Sequence, residues 1–149
     1  HGPLCRVSDT YKMLERWARS RGLSHETQPA IGVCPDHSAF TPQDRCLYDA
    51  GLLVPDDVDE DDVISIQTIP AGIHATLGLA CKPQQMDGVW EWFTSRWLPT
   101  SGKLREIAPS YEYYPAAGCE TITPEHGVEL CIRLSDLRCQ SVCTEFDEN

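Results

Sequence analysis

Between Ile73 and Trp97 the hydrophobic period changes once, and this change restricts the fold more than any other feature of the chain. Ile73, Ala75, Leu77, Leu79 and Cys81 alternate with His74, Thr76, Gly78 and Ala80. That is the two-residue period of a strand with one face in a core. Met86, Val89, Trp90, Phe93 and Trp97 then recur at i, i+3, i+4, i+7 and i+11, the stripe of an amphipathic helix. Pro99 is expected to stop that helix and Gly102 to turn the chain.

The same order occurs once before. Ser8-Asp9-Thr10 is an N-cap signal, Tyr11, Leu14, Trp17 and Ala18 follow at helical spacing, and Gly22 is the stop. Residues 30–34 predict a short strand ended by Pro35, residues 40–45 a loop, and residues 47–54 a strand ended by Pro55. Residues 63–69, 111–114 and 128–134 read as further strands. Tyr11, Leu14 and Trp17 correspond to Trp90, Phe93 and Trp97, with one extra residue in the second copy. Helices interleaved with short strands in a duplicated order predict an α+β domain of two βαββ modules with antiparallel strands. The first helix begins so close to His1 that the first strand of the first module is expected to be missing. The domain is expected to span residues 1–134, with a polar tail over 135–149.

Charge limits the partners. Twelve Lys and Arg face 23 Asp and Glu, a net charge of −11, which argues against nucleic-acid binding by this chain because such binders need a basic stripe. Cations are the favoured guests. Residues 56–62 hold six acids in seven positions, but read as a calcium loop from Asp57 they put Asp62 where Gly is needed and Thr68 where Glu is needed. A solvated loop is the expectation there. No apolar run is long enough to span a membrane and no export signal opens the chain.

Eight cysteines stand at 5, 34, 46, 81, 119, 131, 139 and 143, with no C-x-x-C pair for zinc. Reduced thiols in a cytoplasmic protein, most of them small core residues, are the expectation. Phosphate loops, G-x-S-x-G and H-E-x-x-H are absent from the sequence, so no cofactor, no metal and no catalytic residue is assigned.

Six segments in order carry a resemblance. They are Gly2-Pro3-Leu4, residues 17–23 (WARSRGL), Leu47-Tyr48-Asp49-Ala50, Ile69-Pro70-Ala71-Gly72, residues 97–102 (WLPTSG) and Tyr111-Glu112-Tyr113-Tyr114. Together they resemble the GyrI-like effector-binding domain, with Leu47 where the family often has Arg and Leu4 where it has an aromatic. The resemblance implies two βαββ modules about a pseudo-twofold axis, with a ligand groove between them. It also implies noncatalytic binding of lipophilic or amphipathic cations, by a drug-sensing domain of an AraC-type or similar regulator or by a stand-alone sequestering protein. The helix-turn-helix would be fused or supplied by a partner. A hydrolase of electrophilic natural products and a gyrase-inhibitory interaction role are the alternatives it leaves open.

Within that resemblance, Glu112 is the expected groove residue. It alternates with Tyr111 and Tyr113, so it faces away from them. A carboxylate in an apolar, ring-lined groove is costly without a partner, which an organic cation would supply, with aromatic faces adding cation–π attraction. The candidate walls are Tyr48, Trp90, Trp97 and Tyr114. For Trp90, Phe93 and Trp97 the competing reading is ordinary core, as for any aromatic stripe at helical spacing. Trp92, off that stripe, is either exposed or a lid, and His74 is expected to be a solvated or satisfied histidine.

Overall fold

The computed structural model describes residues 2–3, 7–33, 47–116 and 122–135. The strand end at Cys34, the loop over 40–45, the tail beyond 135 and six of the eight cysteines lie outside the described residues. The chain order is β1 (Gly2–Pro3), α1 (Val7–Arg19), β2 (Ala30–Val33), β3 (Leu47–Leu52), then β4 (His74–Leu79), α2 (Met86–Trp92), β5 (Tyr111–Tyr114) and β6 (Val128–Arg133). All strand pairs are antiparallel, and the sheet order is β1-β3-β2-β5-β6-β4. The α+β class is therefore as expected. The strand expected to be missing ahead of α1 is present as two residues, with Gly2 opposite Tyr48 and Pro3 opposite Leu47. So short a strand leaves no two-residue period to read.

Helix α1 starts one residue before Ser8, so the expected cap lies in its first turn, where Asp9 complements the helix dipole. Its end is as the sequence predicts. Gly22 takes φ 72°, Leu23 N–H reaches Ala18 O at 3.0 Å, and Gly22 N–H reaches Arg19 O at 3.1 Å. Those two bonds form a Schellman closure, which requires a residue comfortable at positive φ.

The second helical segment departs from expectation at its end. A 3-10 turn (Pro83–Gln85) leads into α2, where Gln85 accepts the Lys82 N–H at 2.9 Å. A π turn (Phe93–Trp97) follows, and the helix closes over Leu98–Thr100, so Pro99 does not stop it. The widened turn just ahead relieves the clash that a proline ring makes with the preceding turn.

Residues 63–69 form no strand. The acids before them take the backbone donors that a ladder would use: Asp61 Oδ1 accepts from Val63 and Ile64 N–H, each at 2.9 Å, and Glu60 Oε2 accepts from Ile66 N–H at 3.3 Å. Val63 is left 66% exposed. Asp61 is also more than a solvated loop residue. Its Oδ2 receives Trp17 Nε1 at 2.7 Å and Arg21 at 2.8 Å, and the Arg21 guanidinium lies 4.1 Å over the Trp17 ring. The N–H groups of Ile64 and Val63, then Trp17, hold its carboxyl down at about 2.

Ala30, Ala75, Tyr114, Val128, Leu130 and Ile132 share one face of the sheet and form the core with Met86, Trp90, Phe93 and Leu98. Tyr11 of α1 packs against the same cluster. Both helices therefore lie on the face that carries the even-numbered residues of β5.

Candidate functional site

Glu112 stands mid-sheet, on β5 opposite Gly32 of β2 and Leu130 of β6. Residues 110–114 alternate buried and half-buried, so the strand period turns Ser110, Glu112 and Tyr114 toward the helices, and Glu112 is only 8% exposed. Its carboxylate is met by three donors. Tyr48 Oη donates to Oε2 at 2.9 Å, Tyr114 Oη to Oε2 at 2.8 Å, and Trp90 Nε1 to Oε1 at 3.0 Å. Tyr11 stands one step further out, its Oη 3.1 Å from Tyr48 Oη and 3.0 Å from Ile31 O. Tyr11 donates its one hydroxyl proton to the Ile31 carbonyl, and its oxygen stands beside the Tyr48 hydroxyl. The Tyr11 ring meets those of Tyr48 and Tyr114 edge-on at 6.0 and 6.5 Å.

Every donor on Glu112 is neutral. Burial, then the neighbouring Tyr11 phenol and the Glu112 charge, push the Tyr48 phenol far up. Burial and then Glu112 do the same to Tyr114, and burial raises Tyr11. All three phenols keep their protons at any physiological pH. Hydrogen bonds to a charged acceptor contribute about 1.5–3 kcal/mol each, and three of them are comparable to the several kcal/mol that desolvating a carboxylate costs. The site thus satisfies Glu112 by hydrogen bonding without neutralising it. No Lys or Arg among the described residues pairs with it.

Of the five residues expected to form the site, four converge: Glu112, Tyr48, Trp90 and Tyr114. Trp97 does not reach the carboxylate; its ring lies 5.1 Å from that of Phe93, and the two pack with the core. The π turn between Trp90 and Trp97 lowers the rotation per residue, so i+7 no longer falls above i. Trp92 is 48% exposed and His74 lies on the opposite sheet face, its ring 5.6 Å from that of Tyr111.

Sequence reasoning missed two contributors. Tyr11 reads as one more apolar residue of α1. Gly32 reads as a plain strand position, yet a Cβ there would overlap Tyr48 Oη and lie 3.0 Å from Glu112 Oε2. A glycine inside a strand is the available signal for such a close approach. Nearby in sequence, the Ser110 hydroxyl is buried and has no hydrogen-bond partner among the described residues.

The arrangement offers a negative charge that no described basic residue compensates, behind aromatic rings, with donors drawn from both halves of the chain. Among the described residues no cluster could hold a metal ion, and no helix is long and apolar enough to cross a membrane. Cys81 and Cys131 are free thiols. Burial raises both, Cys131 to about 11, so neither is an activated nucleophile.

With this geometry in hand, the chain was compared with known proteins. The family profile described as GyrI-like small molecule binding domain matches residues 2–135. A curated relative, the SPbeta prophage-derived putative transcriptional regulator YosT of Bacillus subtilis (strain 168), is 24% identical over 76 residues. That alignment covers 51% of this chain and 50% of the relative. The chain thus spans about half the length of the curated relative that it matches.

Proposed function

The chain belongs to the GyrI-like small-molecule-binding family, and from that premise we propose that it binds lipophilic or amphipathic organic cations without turning them over. The observation that carries this reading is the Glu112 carboxylate, buried among rings, hydrogen-bonded to three neutral donors and left without a counter-ion among the described residues. A carboxylate has about four acceptor directions, of which three are used, and the free one is on Oε1 beside Trp90. A cation there gains Coulomb attraction in a low-dielectric site, strengthened by the ring faces.

The groove lies, in this reading, over the β2–β5 junction between α1 and α2, with the halves related by a pseudo-twofold axis. Two facts support it: each half runs β-α-β-β, and β1-β3-β2 is mirrored by β4-β6-β5 about that junction. The cellular role is effector sensing for a transcription regulator, whose helix-turn-helix is fused or supplied by a partner, or sequestration by a stand-alone cytoplasmic protein. The name of the Bacillus relative supports the first role.

Titration with tetraphenylphosphonium or a rhodamine, followed by tryptophan quenching, tests the proposal. Wild type should bind in the micromolar range, Glu112→Gln should bind at least tenfold more weakly, and mass spectrometry should recover the ligand intact. Equal affinity of the two proteins would sink charge recognition, and a converted ligand would move the site to hydrolysis.

A further inference from the structure

Among the described residues the sheet ends on one side at β4, which pairs there only with β6. Strand edges in soluble proteins are ordinarily blunted by Lys, Pro, a bulge or a covering segment. The six residues of β4, HATLGL, hold no Lys, Pro, Asp or Glu, their ladder to β6 runs without a bulge, and Thr76 and Gly78 are exposed. In a chain of net charge −11, this is an uncharged edge that no described residue covers. The phase of the ladder is set by Leu134 N–H bonding Ile73 O at 2.8 Å. Residues 75, 77 and 79 therefore turn their backbone groups toward β6, while His74, Thr76 and Gly78 turn theirs outward.

We propose that β4 pairs antiparallel with β4 of a second copy of this chain about a twofold axis through Thr76, joining the two sheets into one. The occupant is argued from self-complementarity. In that register Thr76 faces the partner's Thr76, and His74 faces the partner's Gly78; each pair exchanges both backbone bonds. Gly78 is the position without a side chain, and there an opposed imidazole needs room. On the helix-covered face, Leu77 meets the partner's Ala75 and Leu79 meets the partner's Ile73. Ile73 is 54% exposed in the single chain, so the pairing covers apolar surface that is otherwise wet. On the outer face, His74 and Gly78 neighbour Arg133 and Glu129 within the chain, and Arg133 is held there by Glu106 at 2.7 Å, so pairing brings no two like charges directly opposite at the β4 edge. The proposal is independent of the ligand reading, because β4 is two places from the strand of Glu112.

Light scattering after size exclusion, on the intact chain at tens of micromolar, should give twice the chain mass of 16.7 kDa. Thr76→Lys puts two ammonium groups face to face on the axis at an exposed position; the mass should halve with circular dichroism and melting midpoint unchanged. Thr76→Val should remain dimeric. Independently of any variant, the amides of Thr76 and Gly78 should be protected from hydrogen exchange at tens of micromolar and lose that protection on dilution. A wild-type mass of one chain, which would leave the edge to an extended peptide of another protein, overturns the proposal. So does a dimer that survives Thr76→Lys, or exchange at these two amides that does not depend on concentration.

Discussion

Substituting Gly32 tests the construction of the site more sharply than removing any of its polar groups. The backbone of Gly32 is not at positive φ, so alanine is sterically ordinary there as far as the chain is concerned. In an open strand, Gly32→Ala would stabilise the protein by about 0.4–1 kcal/mol, because alanine loses less freedom on folding. The neighbours reverse the sign. The new methyl would occupy the place of the Tyr48 hydroxyl and ring tip, so the phenol must leave. Overpacking costs about 1–3 kcal/mol, and losing the Tyr48 bond to Glu112 a further 1.5–3 kcal/mol. After the entropic gain, the net destabilisation is about 1.5–5.5 kcal/mol.

The assay is urea unfolding of the four proteins of a double-mutant cycle, Gly32→Ala and Tyr48→Ala singly and together. With the ring of Tyr48 gone, the overlap with its tip disappears and the methyl at 32 is left 3.0 Å from Glu112 Oε2, so Gly32→Ala should become close to neutral. A coupling of about 1.5–5.5 kcal/mol is expected, from within to beyond the usual range for residues in contact. If Gly32→Ala costs the same in both backgrounds, or costs nothing in the wild type, Tyr48 does not lie over β2 and the account of Glu112 fails with it.

Two further outcomes follow from the same structure. Ser110→Ala removes a buried hydroxyl with no partner and should stabilise the domain by about 1 kcal/mol in urea unfolding; destabilisation would mean that the hydroxyl is bonded. The Asp61 clasp should be constant from neutral pH down to the ordinary range of an aspartate and be lost only as pH falls toward about 2, because the folded-state value is depressed. The Trp17 indole N–H resonance reports it, and a midpoint near 4 would show that the clasp does not form.

How much of this was legible in the sequence follows from how each signal arises. The alternation in β4 and the heptad-like stripe of α2 survive in the structure because both are one-dimensional patterns imposed by a flat core. Gly22 was readable for a similar reason: positive φ at a helix end is a local demand that one residue type meets. Residues 63–69 misled because period and composition describe side chains, whereas the backbone donors of that segment are taken by Asp61 and Glu60. Trp97 misled because a single π turn, which leaves no mark in hydrophobic spacing, rotates everything beyond it. The hydrogen-bonded cluster was legible at Glu112 through the family resemblance, and at Tyr48, Trp90 and Tyr114 as aromatics expected near it; whether they bind a ligand is the proposal. Tyr11 and Gly32 were not, since their roles depend on the register of β2 against β3 and β5, which no local pattern encodes.

That register explains why the carboxylate lies where it does. β2 and β5 are the innermost strand of each half, so a residue on β5 opposite β2 can be reached from both halves at once. Tyr48 and Tyr11 come from the first half, and Trp90 and Tyr114 from the second. Glutamate at this position is tolerable only because donors arrive from both sides, and glycine opposite it is what lets one of them cross β2. Neutral donors supply the hydrogen bonds and leave the charge unneutralised. A lysine or arginine in their place would have met the same desolvation cost while cancelling the carboxylate's field. If the proposed cation binding holds, the choice of phenols and an indole over a basic residue is what separates a carboxylate available to a charged guest from one that merely ties two halves of a sheet together.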